Sequence, residues 1–478
     1  MANSLKIVCL PSEILSMIAQ CDHDPDAPDC ETLFNATLVS RQFLYPFNKL
    51  LWQTVDFRRL GQEESLDKLL SVLVDKRTSS ECRNSIKRIV FPADMSCDID
   101  VLSVLVSGMD WISSHYSAGF KTFLRAQICK RPNADDSMLA MLLVLAPGLE
   151  SLCWERNGGY LAIEALFTYR HHASGVLKTS ILAKLKDLEF SNKPFLDPFM
   201  KLTPEIRPFF FFHNLTHVVV KNVQSYETGL PIKENLPLNN HLQNSRLVSL
   251  ELSSSMIGVD LFDLVLRSSP NLECLVLNDH FFRLRSDQTS IIMTTEQLGD
   301  SLRSHGHSLE HLEIRHSQRH PFRLRLSEHG YLGPLRNLKS LKSIVIDGCV
   351  LADHTIGVSV HSPIVLHVRG YLPAGIEELV LLPLDHINIS SAIHALQWLQ
   401  AGSDLPFLCR AAIAYDNGFS YYVKSKIRQW KVHSWTTVRD DRKNLYFKMC
   451  KHSHENDEWY SPCISLPTWA DCQVIPDA

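Results

Sequence analysis

The chain has 478 residues, too many for one compact core and enough for two or three domains or one extended array. Hydrophobic residues make up 45% and charged residues 21%, an ordinary soluble composition, and a formal net charge of −4 excludes a molecule that binds polyanions with its whole surface. The 13 cysteines are odd in number and form no C-x-x-C pair, which excludes a regular disulfide framework and fits a reducing compartment. The apolar run from Ile7 to Leu10 is shorter than a signal h-region and is stopped by Pro11 and Glu13, so a cytoplasmic and/or nuclear protein is expected.

In chain order, the first predicted element is a helix opening at "LPSEILSMIAQ", residues 10–20. Pro11 suits a first helical turn, Glu13 sits near the positive end of the helix dipole, and Ile14, Leu15, Ile18 and Ala19 share one face. After the Asp- and Pro-rich loop "CDHDPDAPDCE", a second helical pattern runs through "TLFNATLVSRQF" until Pro46 breaks it. A third short segment carries Leu50, Leu51 and Trp52. Three short helices within about fifty residues make a core too small to stand alone. Their spare apolar surface predicts a cover, either the rest of the chain or a partner protein.

The pieces "LPSEIL" (10–15), "LVSRQF" (38–43) and "LLW" (50–52) resemble the F-box in order and approximate spacing, over about one tenth of the chain. The loop from Cys21 to Glu31 is longer and more acidic than in compact F-boxes. The resemblance implies docking on the Skp adaptor of SCF ubiquitin ligases. The matching positions here are Leu10, Pro11, Ile14, Leu15, Ile18, Leu38, Val39, Leu51 and Trp52. Each also has a reading as internal core of the small helical module. A helical connector is expected over 58–79.

From residue 80 a pattern recurs of one apolar residue, two variable, one apolar, one variable, one apolar. It reads "IKRIVF" at 86, "LESLCW" at 149, "LKDLEF" at 185, "LTHVVV" at 215, "LVSLEL" at 247, "LECLVL" at 272, "LEHLEI" at 309, "LKSIVI" at 341 and "IEELVL" at 376. "FKTFLR" at 120 is a weaker copy, and the steps between successive copies run from 25 to 37 residues. Near-regular recurrence predicts a solenoid. The stretches "SMLAMLLVLAPG" and "DLFDLVLRSSP" carry helical spacing and then a proline stop, so each unit is a helix followed by a strand.

This array resembles leucine-rich repeats in degenerate form. The Asn or Cys that should follow each strand stands only at Asn157 and Cys349; elsewhere the position holds residues such as Asp94, Ser255 or His280. The predicted fold class is therefore an α/β solenoid. It comprises a three-helix F-box at 1–57, an irregular repeat array with outer helices and inner parallel strands at 80–400, and a C-terminal capping region at 401–478. The alternative is a generic α/β domain rich in leucine.

In such an array the variable strand positions face the concave side. The candidate contacts for a protein substrate are His217, Glu251, His311, Glu313, Arg315 and Asp347, within a wider set that includes Cys274, Ser343 and Glu378. Solvated strand positions are the plainer reading. The segment 421–451 interleaves nine Lys and Arg with five Tyr and Trp. It reads first as a capping element, then as a peptide contact, and last as a nucleic-acid platform.

Other constellations carry little. In "DHDPDAPDCETL" the glycine of a calcium loop is Ala27 and its twelfth-place acid is Leu33. Cys450, His452, His454, Cys463 and Cys472 fit no standard zinc spacing. No nucleophile-elbow, phosphate-loop or dinucleotide motif is present. The expectation is a non-enzyme with no metal and no cofactor. It is a substrate receptor whose partners are a Skp adaptor, a cullin scaffold and a protein substrate. A protein-interaction scaffold outside ubiquitination is the alternative. A membrane is not expected as a partner, and nucleic acid comes last.

Overall fold

A computed structural model gives the fold. It describes residues 49–58, 69–75, 80–92, 108, 122, 134–156, 182–192, 201–202, 214–225, 245–255, 257–278, 293–315, 332–351, 371–382, 405–408, 410–415, 435–439, 445–450 and 473–474. The chain divides into two compact units, Met1–Phe195 with Glu205–Leu215, and Leu196–Pro204 with Thr216–Ala478.

The first unit carries four strands in parallel, β1 (Thr54–Asp56), β2 (Arg88–Phe91), β3 (Ser151–Arg156) and β4 (Asp187–Asn192). Helix α1 (Ser80–Ser85) leads into β2 and α2 (Ala134–Leu145) leads into β3. From Leu139 to Leu145, α2 is at most 1% exposed on every side. Its run of apolar residues is thus a core helix, and no helix among the described residues is long and apolar enough to cross a membrane.

Arg83 of α1 is 6% exposed yet well served. Its Nε donates to the Leu73 carbonyl at 2.8 Å and its Nη2 to the Asp75 carbonyl at 3.0 Å, closing the C-terminal end of a helix over 69–74.

The second unit contains a small parallel pair, β5 (Lys201–Leu202) with β7 (Gln224–Ser225). Its main ladder is β6 (His217–Lys221), β8 (Ser249–Ser253), β9 (Cys274–Asn278), β10 (His311–Arg315), β11 (Ser343–Asp347), β12 (Glu378–Leu382) and β13 (Arg410–Tyr415), all parallel. Beyond β13 the ladder turns antiparallel through β15 (Leu445–Cys450), β14 (Trp435–Arg439) and β16 (Gln473–Val474). Strands β14 and β15 fall in the basic aromatic segment.

Helices α3 (Val259–Ser268) and α4 (Thr295–His305) lead into β9 and β10, and a short α5 (Gly348–Leu351) follows β11. Thr294 and Gln297 form a reciprocal capping box at the start of α4, and Asp263 of α3 accepts from Ser301 of α4 at 3.1 Å. Gly299 lets α4 approach the backbone at 332, where an added Cβ would sit 1.8 Å from the Leu332 carbonyl oxygen.

Each unit is therefore a parallel ladder with helices, an α/β solenoid-like arrangement, and among the described residues helices lead into β2, β3, β9 and β10. The repeat pattern explains the core directly. In all nine strong copies the three apolar positions are at most 2% exposed. The weaker copy at 120 lies outside the described residues.

Two further copies come to light. "WQTVDF" at 52 supplies β1, with Val55 opposite Ile89, and "LCRAAI" at 408 supplies β13, with Ala411 opposite Leu379. Strand pairing thus begins inside the segment expected to be a helical module and runs past the boundary expected at 400. Asp56, on β1, is clamped by Arg58 through three hydrogen bonds, backbone N to Oδ1 at 3.0 Å, Nε to Oδ1 at 3.0 Å and Nη2 to Oδ2 at 2.8 Å.

The missing asparagine ladder has a local substitute. Ser255, fully buried, donates from its hydroxyl to the carbonyls of Val220 (3.2 Å) and Ser253 (2.9 Å) and accepts from the Val223 amide (3.2 Å). Asn222 and Ser254 turn the chain with φ of 57° and 48°, a region that short polar residues tolerate.

Ser255→Ala removes only the hydroxyl and leaves buried backbone groups unserved, so it should cost about 1–3 kcal/mol in urea unfolding. A cost within about 0.3 kcal/mol of zero would show that the turn does not depend on this hydroxyl.

Lys87, Glu150 and Lys186 stand side by side on the entry edge of β2, β3 and β4. Lys87 donates to Glu150 at 2.6 Å and Lys186 lies 3.7 Å away. The Lys87 hydrogen bond holds the Glu150 carboxyl below its ordinary value. A depressed carboxyl stabilises the fold above its unfolded value of about 4.3 and loses that contribution as pH falls through the folded value. The group is 36% exposed, so Glu150→Gln should cost only about 0.2–1 kcal/mol at pH 7. Melts of the two proteins should converge in strong acid; a difference that persisted or grew there would contradict this account.

Candidate functional site

Because side chains alternate along a strand, the residues opposite the core form rows across the second unit. One row reads His217, Ser249, Cys274, His311, Ser343, Glu378. The next, two residues along, reads Val219, Glu251, Val276, Glu313, Val345, Val380. The third contains Lys221, Ser253, Asn278 and Arg315.

The six substrate candidates do not form one cluster. His217 is exposed at the β6 end, with its Nδ1 3.0 Å from the Thr216 hydroxyl. Glu251 is half-buried and accepts from Ser253 at 2.6 Å. Asp347 ends β11 opposite Leu382. The remaining three, His311, Glu313 and Arg315, stand together on β10.

Glu313 departs from the expectation of a variable position open to solvent. It is 1% exposed, and its row neighbours Val276, Val345 and Val380 are at 2% or below. The Arg315 Nε is ion-paired with Glu313 Oε1, and His311 Nε2 lies 3.7 Å from Oε2, too far for a hydrogen bond. A carboxylate removed from water needs such a partner. Ser343 donates to Glu378 Oε2 at 3.0 Å. Five buried polar atoms on this face nonetheless make no hydrogen bond: Asn278 Oδ1, His311 Nε2, Glu313 Oε2, Glu378 Oε1 and Arg315 Nε, whose pairing with Glu313 is ionic only. Ser343 and Glu378 belong to the strand positions the pattern exposes. Asn278 follows the last apolar residue of its repeat, and only its register opposite Arg315 brings it to the site.

In the first unit the corresponding row is Asp56, Val90, Cys153 and Glu189. Burial, with Glu189 beside it, pushes the Cys153 thiol up to about 12. It stays a thiol at neutral pH and is no activated nucleophile.

Of the nine adaptor-docking candidates, Leu10, Pro11, Ile14, Leu15, Ile18, Leu38 and Val39 lie outside the described residues. Leu51 and Trp52 are half-buried beside a buried Leu50. Trp52 stands at the first apolar position of the β1 repeat, where β2 has Ile86 and β3 has Leu149. Its ring therefore belongs to the start of the repeat array as well as to the helical segment. Among the described residues, no group of histidines, cysteines and carboxylates could hold a metal ion.

Arg315→Met should leave Glu313 buried and uncompensated, at a cost of about 3 kcal/mol in urea unfolding. Glu313→Gln in the same background should recover part of it. A coupling in the double-mutant cycle below about 0.5 kcal/mol would mean the pair is not held as described.

Compared with known families and curated proteins, the chain matches no family model and no curated sequence.

Proposed function

We propose that the chain is the substrate-recognition subunit of an SCF-type ubiquitin ligase. The F-box-like segment 1–57 binds a Skp adaptor and the repeat array holds a protein substrate. The observation that carries this reading is the order of "LPSEIL", "LVSRQF" and "LLW" immediately before an array of repeats. A helical segment with more apolar surface than it can bury needs a partner, and the repeats that follow offer a broad row-patterned face.

The mechanism is proximity. The subunit does no chemistry. It raises the effective concentration of substrate lysines at the site of ubiquitin transfer. Scaffolding outside ubiquitination uses the same docking without recruiting a cullin.

Co-expression with a Skp adaptor, followed by size exclusion, tests the reading. The wild type should elute as a one-to-one complex that Leu15→Asp abolishes and that takes up a cullin. A well-folded wild type with no complex would overturn the proposal. A complex that excludes the cullin would support the scaffold instead. Leu15→Asp is a cleaner probe than Trp52→Ala, because Trp52 also serves the first repeat.

A further inference from the structure

We propose that partner docking on the N-terminal segment and folding of the first repeat are linked, with Trp52 as the residue they share; this rests on the substrate-receptor reading above, which makes the partner a Skp adaptor. Gln53 alone separates Trp52 from β1. The Gln53 amide donates to the Leu50 carbonyl at 3.0 Å, closing the helical turn at 49–51. The Gln53 carbonyl accepts from the amides of Lys87 (2.9 Å) and Arg88 (3.0 Å), the first hydrogen bonds of the ladder. One residue thus ends the docking segment and begins the array.

Trp52 holds a place that elsewhere belongs wholly to the core. Ile86, Leu149 and Leu185, at the same place in the strong copies that supply β2, β3 and β4, are 0% exposed. Trp52 is only half-buried, and so is Leu51 beside it. The tryptophan therefore serves the first repeat and still presents surface next to Leu51. Both are positions that the F-box resemblance assigns to the adaptor.

The first repeat is also where the ladder is weakest. Strand β1 has three residues and ends the sheet, so among the described residues it pairs with β2 alone. In an array held together by contacts between neighbours, an end unit opens at low cost. A partner that closes over Leu51 and Trp52 binds the form in which the tryptophan is seated, and so stabilises β1. By the reciprocity of linked equilibria, a change that loosens β1 weakens the partner in turn.

The test uses the full chain and a purified Skp adaptor. Hydrogen exchange is read by mass spectrometry on peptides covering 53–58 and 86–91. These hold the amides of Phe57, Lys87 and Arg88, which bond across β1 and β2. Adaptor should slow their exchange about tenfold and leave β10 unchanged. Val55→Ala, 5% exposed within β1, should weaken adaptor binding about tenfold. Val218→Ala, at the same place in β6, should leave it unchanged. Trp52→Ala should both weaken the complex and speed exchange at 86–91 in the free chain. Thermal melts verify folding. If Val55→Ala unfolds, Ile89→Val, in register with Val55 on β2, carries the comparison.

Protection that stops at residue 52 overturns the proposal. So does wild-type affinity in Val55→Ala, an equal loss in Val218→Ala, or only one of the two effects in Trp52→Ala. Each of these leaves adaptor binding, and with it the ligase reading, standing. A wild type that forms no complex with the adaptor sinks both.

Discussion

One backbone carbonyl per repeat sets the register on which everything else depends. The Lys87 carbonyl accepts from the amides of both Glu150 and Ser151; the Glu310 carbonyl accepts from both Lys342 and Ser343; the Lys342 carbonyl accepts from both Glu377 and Glu378. The same arrangement recurs from Gln53, Glu150, Thr216, Val248 and Glu273. Each repeat enters its strand locked to its predecessor, so equivalent residues stack about 4.8 Å apart. A slip of one residue would turn every core leucine outward. The same lock aligns the side chains of the accepting residues, which is why Lys87 meets Glu150 and Glu310 meets Lys342.

Within that frame the two units fill their cores differently. In the first unit the last apolar position of the repeat is aromatic: Phe57, Phe91, Trp154 and Phe190, all fully buried. Phe57 and Phe91 pack edge-on at 5.6 Å, and Trp154 and Phe190 pack tilted at 4.9 Å. In the second unit the same position holds Val220, Leu252, Leu277, Ile314, Ile346 and Leu381. Aliphatic residues at this place must rely on helices such as α3, which buries Leu261, Phe262, Leu264, Val265 and Leu266 together.

The strands were legible because their chemistry repeats. Nine hexapeptides marked nine strands, and proline stops marked the ends of α2 and α3. The two strands at the ends of the parallel run were not legible, for physical reasons. Trp52 and Phe57 fill the β1 repeat with rings, and the tryptophan also completes a helical motif, so the eye follows the helix. Ala411 gives β13 too little apolar contrast to stand out. The role of Ser255 was hidden because a hydroxyl does locally what an asparagine amide does in a regular array. The burial of Glu313 could not be read from β10 alone. Alternation places it on the outer face, and only register with Val276 and Val345 shows it enclosed.

That enclosure is what makes the face informative. Its row already shows the stable solution, since Val276, Val345 and Val380 fill equivalent places with no charge to desolvate. Replacing a buried ion pair by apolar residues of similar size is commonly neutral or stabilising, so Glu313 and Arg315 are not explained by the fold's need for cohesion. Nor are the unserved oxygens of Glu378 and Asn278, each of which carries a desolvation cost that an apolar side chain would avoid. Glu313 thus holds an acceptor where its neighbours in the row show that valine would do.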